Sequence, residues 1–237
     1  MLKNILLLLC FALPVSQQAR DFLYIVKAAT VEYVAPTEDV LLASNSVVGI
    51  ETLSGLGSAT YIGGGLFLSA HHVVEGNEDQ PLLIQDWHLG LAYRGFVVAY
   101  DLDSDLVIIG TNDPVLTPPA KLAWSDPAAG DRVHGVGFGV SYSDEKPGCE
   151  RRIWSGLVSS YTENIGGHAP NAIKSTNPSI PGDSGGALFN DKGELIGVIH
   201  ATDFVHCYSI RNACIHKLLR RLESVEPKEE EASGEDS

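Results

Sequence analysis

The sequence predicts an all-β protein made in two halves and finished by a C-terminal helix. From about Val47 onward, short runs rich in Val, Ile, Leu, Phe and Tyr alternate with Gly, Pro, Asn or Asp, the pattern of strands joined by turns in a sandwich or barrel. The stretch Thr111 to Gly130 carries Pro114, Pro118, Pro119 and Pro127, is poor in strand and helix signals, and divides the runs into two sets. Helical spacing is confined to Cys214, Ile215, Leu218, Leu219 and Leu222, with His216, Lys217, Arg220 and Arg221 between them. That spacing predicts an amphipathic helix over 213–222 with one face on the body.

The expected strands of the first set are Val47–Glu51, Ser58–Ile62, Leu66–Ser69, Leu82–Ile84, Phe96–Tyr100 and Leu106–Gly110. Those of the second set are Arg132–Gly137, Ile153–Ser160, Ala172–Ser175, Gly186–Asn190, Leu195–His200 and Cys207–Ile210. Residues 20–45 read as an N-terminal arm, and 223–237 as an acidic, solvated tail with seven acids against Lys228.

A chain of 237 residues with 44% hydrophobic and 19% charged side chains can bury a sizeable core as one unit. Its 24 Gly and 12 Pro suit many short elements and turns. The formal net charge of −14 argues against nucleic acid as a partner, because phosphate binding concentrates Lys and Arg.

Met1-Leu-Lys-Asn4, the apolar run Ile5 to Val15 and polar Ser16-Gln-Gln18 have the order of a secretory signal, with a cut expected after Ala19. Secretion to an extracellular or periplasmic space is the expectation. The alternative is a short uncleaved anchor over 1–19, and membrane association follows only in that case. Removal of Cys10 with the signal leaves Cys149, Cys207 and Cys214, an odd number that suggests one bridge and one other thiol. With no Cys-x-x-Cys pair, a zinc site has little support, and no metal or organic cofactor is implied.

Chemistry concentrates in three motifs. Pro181-Gly-Asp-Ser-Gly-Gly-Ala-Leu188 has glycines on both sides of Ser184, which allow a tight turn that exposes a hydroxyl nucleophile. The N–H groups of Gly182 and Ser184 would then receive the charge that develops on an attacked carbonyl. Leu68-Ser-Ala-His-His-Val-Val74 places a base at a strand end, and Asp101-Leu-Asp-Ser-Asp-Leu-Val-Ile-Ile109 places an acid before another. A hydroxyl, an imidazole and a carboxylate held at strand ends are what the Ser-His-Asp mechanism requires. The order is His, Asp, Ser, with gaps of 33 and 79 residues if His72 and Asp105 are chosen.

These motifs resemble the chymotrypsin-like serine peptidases, and among them the HtrA-like, V8-like and viral enzymes. Ser46-Val-Val-Gly-Ile50, Gly57-Ser-Ala-Thr-Tyr-Ile62, Gly130-Asp-Arg-Val133, Trp154-Ser-Gly-Leu-Val-Ser159 and Gly193-Glu-Leu-Ile-Gly197 are similar to further stretches of the HtrA-like form. The resemblance covers residues 45–222 and implies two six-stranded antiparallel β-barrels, about 46–115 and 130–212, with a C-terminal helix. It implies a serine endopeptidase acting on polypeptides through an acyl-enzyme, with Ser184 as nucleophile, His72 as base and Asp105 as its orienting acid. A membrane-anchored viral protease is the alternative context, and a catalytically dead binding relative is the competing class.

The family pattern Leu-Ser/Thr-Ala-x-His selects His72 over His71, and on a strand only one of two adjacent side chains faces Ser184. Asp103 shares strand parity with Asp105, so the Leu-Val-Ile run after Asp105 decides between them. By resemblance, the substrate pocket is walled by Pro178 and Ser179 on one side and His200, Ala201 and Thr202 on the other, with His206 at its base. Pro178 stands where enzymes that cut after Lys or Arg carry an acid, which disfavours basic specificity. Two places are open to His200: the substrate pocket, giving cleavage after Glu or Gln, or Asp105, where relatives carry a hydrogen-bonding serine. A strand shift by one residue turns the side chain over unless a bulge restores it. The resemblance also leaves Asp183 without a newly cut N-terminal ammonium, and it allows a Cys149–Cys207 bridge with Cys214 in the core.

Overall fold

The structure is a computed structural model that describes residues 35–53, 55–143, 146–162 and 172–225. The expected signal or anchor over 1–19, most of the arm and nearly all of the acidic tail lie outside them.

The described chain begins with helix α1, Glu38–Ala43, which falls inside the segment read as an arm. Thr37 caps it by accepting the Val40 N–H, and Glu38 and Asp39 in the first turn complement the positive end of the helix. The Thr37 hydroxyl also donates to the Asp191 carbonyl at 2.7 Å, so the cap ties the entry of the chain to its second half.

The first barrel consists of β1 (Val47–Glu51), β2 (Leu56–Gly63), β3 (Leu66–Ala70), β4 (Leu82–Asp86), β5 (Leu91–Asp101) and β6 (Leu106–Thr111). They close antiparallel in the order β1-β2-β3-β6-β5-β4. The segment read as an irregular linker contains a short strand, β7 (Lys121–Leu122). Then come β8 (Arg132–Ser143), β9 (Lys146–Thr162), β10 (Ala172–Ser175), β11 (Ala187–Asn190), β12 (Glu194–Thr202) and β13 (Cys207–Arg211). This sheet runs β11-β8-β9-β10-β13-β12-β7, and pairing of β11 with β12 closes six of its strands into the second barrel. β7 lies outside that ring, parallel to β12 through Glu194↔Lys121 and Leu195↔Leu122. The expected architecture of two six-stranded antiparallel barrels and a C-terminal helix is therefore observed, with one added edge strand.

Alternation along the strands sorts side chains between interiors. Ile50, Phe67, Ile84, Val107 and Ile109 fill the first barrel, and Val133, Val158, Ile173, Leu188 and Ile196 fill the second. The opposite faces of β3 and β6 send Leu68, Leu106 and Ile108 toward Val136, Phe189 and Val198 of the second barrel. Ile215 and Leu218 of α2 (Asn212–Val225) enter this same inter-barrel core, where each fully buried Leu, Ile or Phe contributes about 1.5–3 kcal/mol. Arg221 and Lys217 of α2 reach Asp101 at 3.4 and 3.7 Å. The helix thus clamps the end of β5, just ahead of the turn that carries Asp105. Cys207 is a free buried thiol and Cys214 a free half-buried one. The Cys149 side chain, the partner allowed to Cys207 by resemblance, lies outside the described residues; β13 buries Cys207 beside Ser209, and burial pushes its thiol up to about 11.

Candidate active site

Candidate residues from both barrels meet across the interface. β3 ends in a single turn of 3-10 helix, His71–Val73, so the two histidines leave the backbone on a turn and not on the extended strand assumed from sequence. The ring of His72 meets Asp105, with Nδ1 2.6 Å from Oδ2, and the His72 N–H donates to Oδ1 at 2.8 Å. His71 faces elsewhere. Its Nε2 lies 3.1 Å from Glu78 Oε1, and its ring packs 4.9 Å from that of Tyr100. The His71 N–H donates to the backbone carbonyl of Asp105 at 2.9 Å, so its main chain still helps to set the acid.

Asp105 closes a turn at the start of β6 with φ of 53°, a left-handed conformation that Asp adopts more readily than most L-residues. The turn removes the strand parity on which Asp103 and Asp105 were compared: Asp105 is buried, whereas Asp103 faces solvent. Burial alone would raise the Asp105 carboxyl. Hydrogen bonds from His200 and then His72, with their charges, outweigh it and hold the group well below the usual carboxylate range.

Ser184 follows a tight turn in the second barrel. The Asp183 N–H donates to the Ile180 carbonyl at 3.1 Å, Pro181 occupies the second position, and Gly182 supplies φ of 95° at the third, the requirements of a type II turn. Among the described residues, the N–H groups of Gly182 and Ser184 have no acceptor. Ser58 fastens this turn to the first barrel. Its N–H donates to the Ser184 carbonyl at 2.8 Å, its hydroxyl donates to the Gly182 carbonyl at 2.7 Å, and the hydroxyl oxygen accepts the Phe138 N–H at 2.8 Å. The approach is close enough to require glycine at 185, where a Cβ would stand 2.0 Å from the Ser58 carbonyl oxygen.

The next residue before the serine is fully buried. Asp183 accepts from Arg152 Nη1 and from the Ile180 N–H, each at 2.8 Å. Desolvation pushes its carboxyl up to about 6, against the pull of Arg152 and of backbone N–H groups. Sequence reasoning left Asp183 without a newly cut N-terminal ammonium, and Arg152 is the cation beside it. Arg152, on β9, carries no motif that would have revealed it.

Among the proposed pocket residues, Ser179 is buried beside Cys207, Pro178 is half-buried, and Ala201 and Thr202 continue β12 as half-buried positions. The Thr202 hydroxyl donates to the His206 carbonyl at 3.1 Å. His200 lies at a bulge between the pairs Ile199↔Ser209 and Ala201↔Tyr208. Its Nδ1 is 2.6 Å from Asp105 Oδ2, while its carbonyl accepts the Ser184 hydroxyl at 3.3 Å. His72, Asp105 and His200 also offer three ligand atoms within 4.8 Å of one another, a set accounted for by hydrogen bonding.

A serine, a histidine and an aspartate presented at the junction of two antiparallel barrels define the class of two-barrel serine peptidase folds. A family model described as a trypsin-like peptidase domain matches residues 57–198, and the chain belongs to that family. A probable periplasmic serine protease do/HhoA-like of Haemophilus influenzae is 31% identical over 152 residues, covering 61% of this chain and 30% of the relative. A putative protease Do-like 14 of Arabidopsis thaliana is 31% identical over 167 residues, covering 63% of this chain and 36% of the relative. The chain thus spans about a third of the length of these curated relatives. Among solved structures, a serine endoprotease from Yersinia pestis aligns with a TM-score of 0.66 at 22% identity, covering 81% of this chain and 69% of the other. The HtrA-type protease AlgW with a decapeptide gives 0.67 at 18% identity, covering 81% and 68%. These last two likenesses concern the fold.

Proposed function

We propose that the chain is a serine endopeptidase in which Ser184 attacks a peptide carbonyl, His72 takes the serine proton and returns it to the leaving amine, and Asp105 fixes the His72 tautomer. The observation that carries this reading is the double grip of Asp105 on His72, through ring Nδ1 and main-chain N–H. An ionised carboxylate can only accept, so the Nδ1 it holds bears the proton and Nε2 is left as the basic nitrogen. The unengaged N–H groups of Gly182 and Ser184 are the donors proposed for the oxyanion of the tetrahedral intermediate. Collapse of that intermediate leaves an acyl group on Ser184 Oγ, which water then removes.

The proposed substrates are polypeptides, in keeping with the peptide held by the AlgW neighbour. Pro178, Ser179, Ala201 and Thr202 are proposed as pocket walls. Export is proposed from the order of regions in residues 1–19, and one relative is named periplasmic. Among the described residues no helix is long and apolar enough to cross a membrane. A serine-directed fluorophosphonate tests the reading: wild type should be labelled and Ser184→Ala should not. A folded wild-type protein that resists labelling would overturn it.

A further inference from the structure

We infer that His200 is a positioning residue that holds the acid and the nucleophile of the proposed site from one backbone position. The inference rests on the reading of Ser184, His72 and Asp105 as a peptidase site. Its first observation is the bulge. One extra residue in β12 between Ile199↔Ser209 and Ala201↔Tyr208 frees His200 from the strand's alternation, so both its ring and its carbonyl are re-aimed. The ring goes to Asp105, where Nδ1 lies 2.6 Å from the same Oδ2 that receives His72 Nδ1. A carboxylate oxygen has two lone pairs and accepts both rings. With Oδ1 taken by the His72 N–H, the carboxylate is fixed by three donors and has no freedom to swing away from His72.

The carbonyl of His200 acts at the other end. It accepts the Ser184 hydroxyl at 3.3 Å, so the backbone of His200 also holds the side chain of the proposed nucleophile. The His200 ring stands edge-on to that of His72, with centroids 5.6 Å apart and planes at 75°, and is only 10% exposed. Its Nδ1 is committed to Asp105. The bulge thus carries the His200 ring to Asp105, one of the two places that sequence allowed for it, and there an imidazole supplies the donor to the acid.

Two substitutions separate this role from simple packing. In His200→Asn the side-chain amide N–H falls where Nδ1–H stood, whereas His200→Leu fills the space without a donor. The Leu variant should lose about ten- to a hundredfold in kcat, the size expected for one hydrogen bond to a charged group, with KM changed by less than about threefold. The Asn variant should recover to within about fivefold of wild type, since the donor is kept. Proton NMR of nitrogen-labelled histidine should show two low-field Nδ1–H signals in wild type and one in the Asn variant. Equal kcat for the Asn and Leu variants, a loss confined to KM, or a single low-field signal in wild type would overturn the inference. The NMR comparison decides it by itself if the Leu variant does not fold. Fluorophosphonate labelling of wild type against Ser184→Ala tests the underlying peptidase reading separately. Labelled wild type with equal Asn and Leu rates sinks His200 alone.

Discussion

Asp105 and Asp183 are the two buried acids of the site, 5% and 0% exposed, yet their carboxyls shift in opposite directions. For each, burial is the largest influence and raises the proton affinity. Asp105, in the first barrel, overcomes it with three donors on its side chain: the His72 ring, the His72 main chain and the His200 ring. Asp183, in the second barrel, has Arg152 and backbone N–H groups, and the Arg152 side chain is a third exposed, so water screens much of its pull. The number and dryness of the donors, more than depth of burial, set the charge of a carboxylate at neutral pH.

The strongest way to break the comparison is to take charge from the well-served acid. Asp105→Asn keeps the shape but can stabilise the wrong His72 tautomer, and kcat on a peptide substrate should fall by about 10³–10⁴-fold while the fold persists. Steady-state kinetics beside circular dichroism checks both halves of that expectation. A loss below about tenfold would mean that Asp105 does not orient the base.

Removing the counter-charge of the poorly served acid comes next. Arg152→Met leaves Asp183 buried without its cation, and urea unfolding at pH 8 should show a loss of about 3–5 kcal/mol. At pH 5, where Asp183 is protonated, the loss should shrink. An equal loss at both pH values would show that Arg152 acts by packing against Trp154, over which its guanidinium lies at 4.9 Å, and not through Asp183.

The pH dependence of stability sharpens the contrast further. Because the folded Asp183 binds its proton more tightly than the unfolded chain does, its contribution declines as pH rises from about 4 to 6, by up to about 3 kcal/mol. Asp105 works in the opposite sense: its contribution is present above about pH 4 and is lost as the pH falls below that. Denaturation at a series of pH values, for wild type and Asp183→Asn, should show the decline between pH 4 and 6 only in wild type, within about 1 kcal/mol. Identical curves would remove Asp183 as its source.

Smaller effects bound the picture. Ser58→Ala leaves the Gly182 carbonyl and the Phe138 N–H without their partner and should cost about 1–3 kcal/mol by the same unfolding measurement. Asp103→Asn, on the exposed side of its turn, should change kcat by less than about twofold. A large loss at Asp103 would reopen the assignment of the acid.

Most of the fold was legible because strand periodicity and turn residues are local signals. All twelve expected strands are observed, several of them longer than expected, and the C-terminal helix runs 212–225 where 213–222 was read. β7 escaped notice because two residues between prolines hold no period, and α1 because six residues are too few to show a face. In the site, the motif positions of Ser184, His72 and Asp105 could be read, but the geometry that separates each from its neighbour could not. His71 and His72 part on a 3-10 turn, and Asp103 and Asp105 on a turn with positive φ, whereas strand parity had been assumed for both. Arg152 and the bulge at His200 depend on pairings between distant strands, which no local pattern in the chain records.

The Ser58 hydroxyl and the Gly182 carbonyl that it holds are 124 residues apart in the chain. At about 5–20 residues per second, a ribosome takes about 6–25 seconds to add the intervening segment. The histidine and the acid are made early in that interval, ahead of the serine proposed as nucleophile. The turn that carries the nucleophile can be fastened only after most of the second barrel has been synthesised. The proposed site therefore stays incomplete until the second barrel is made, however far the first barrel has already folded.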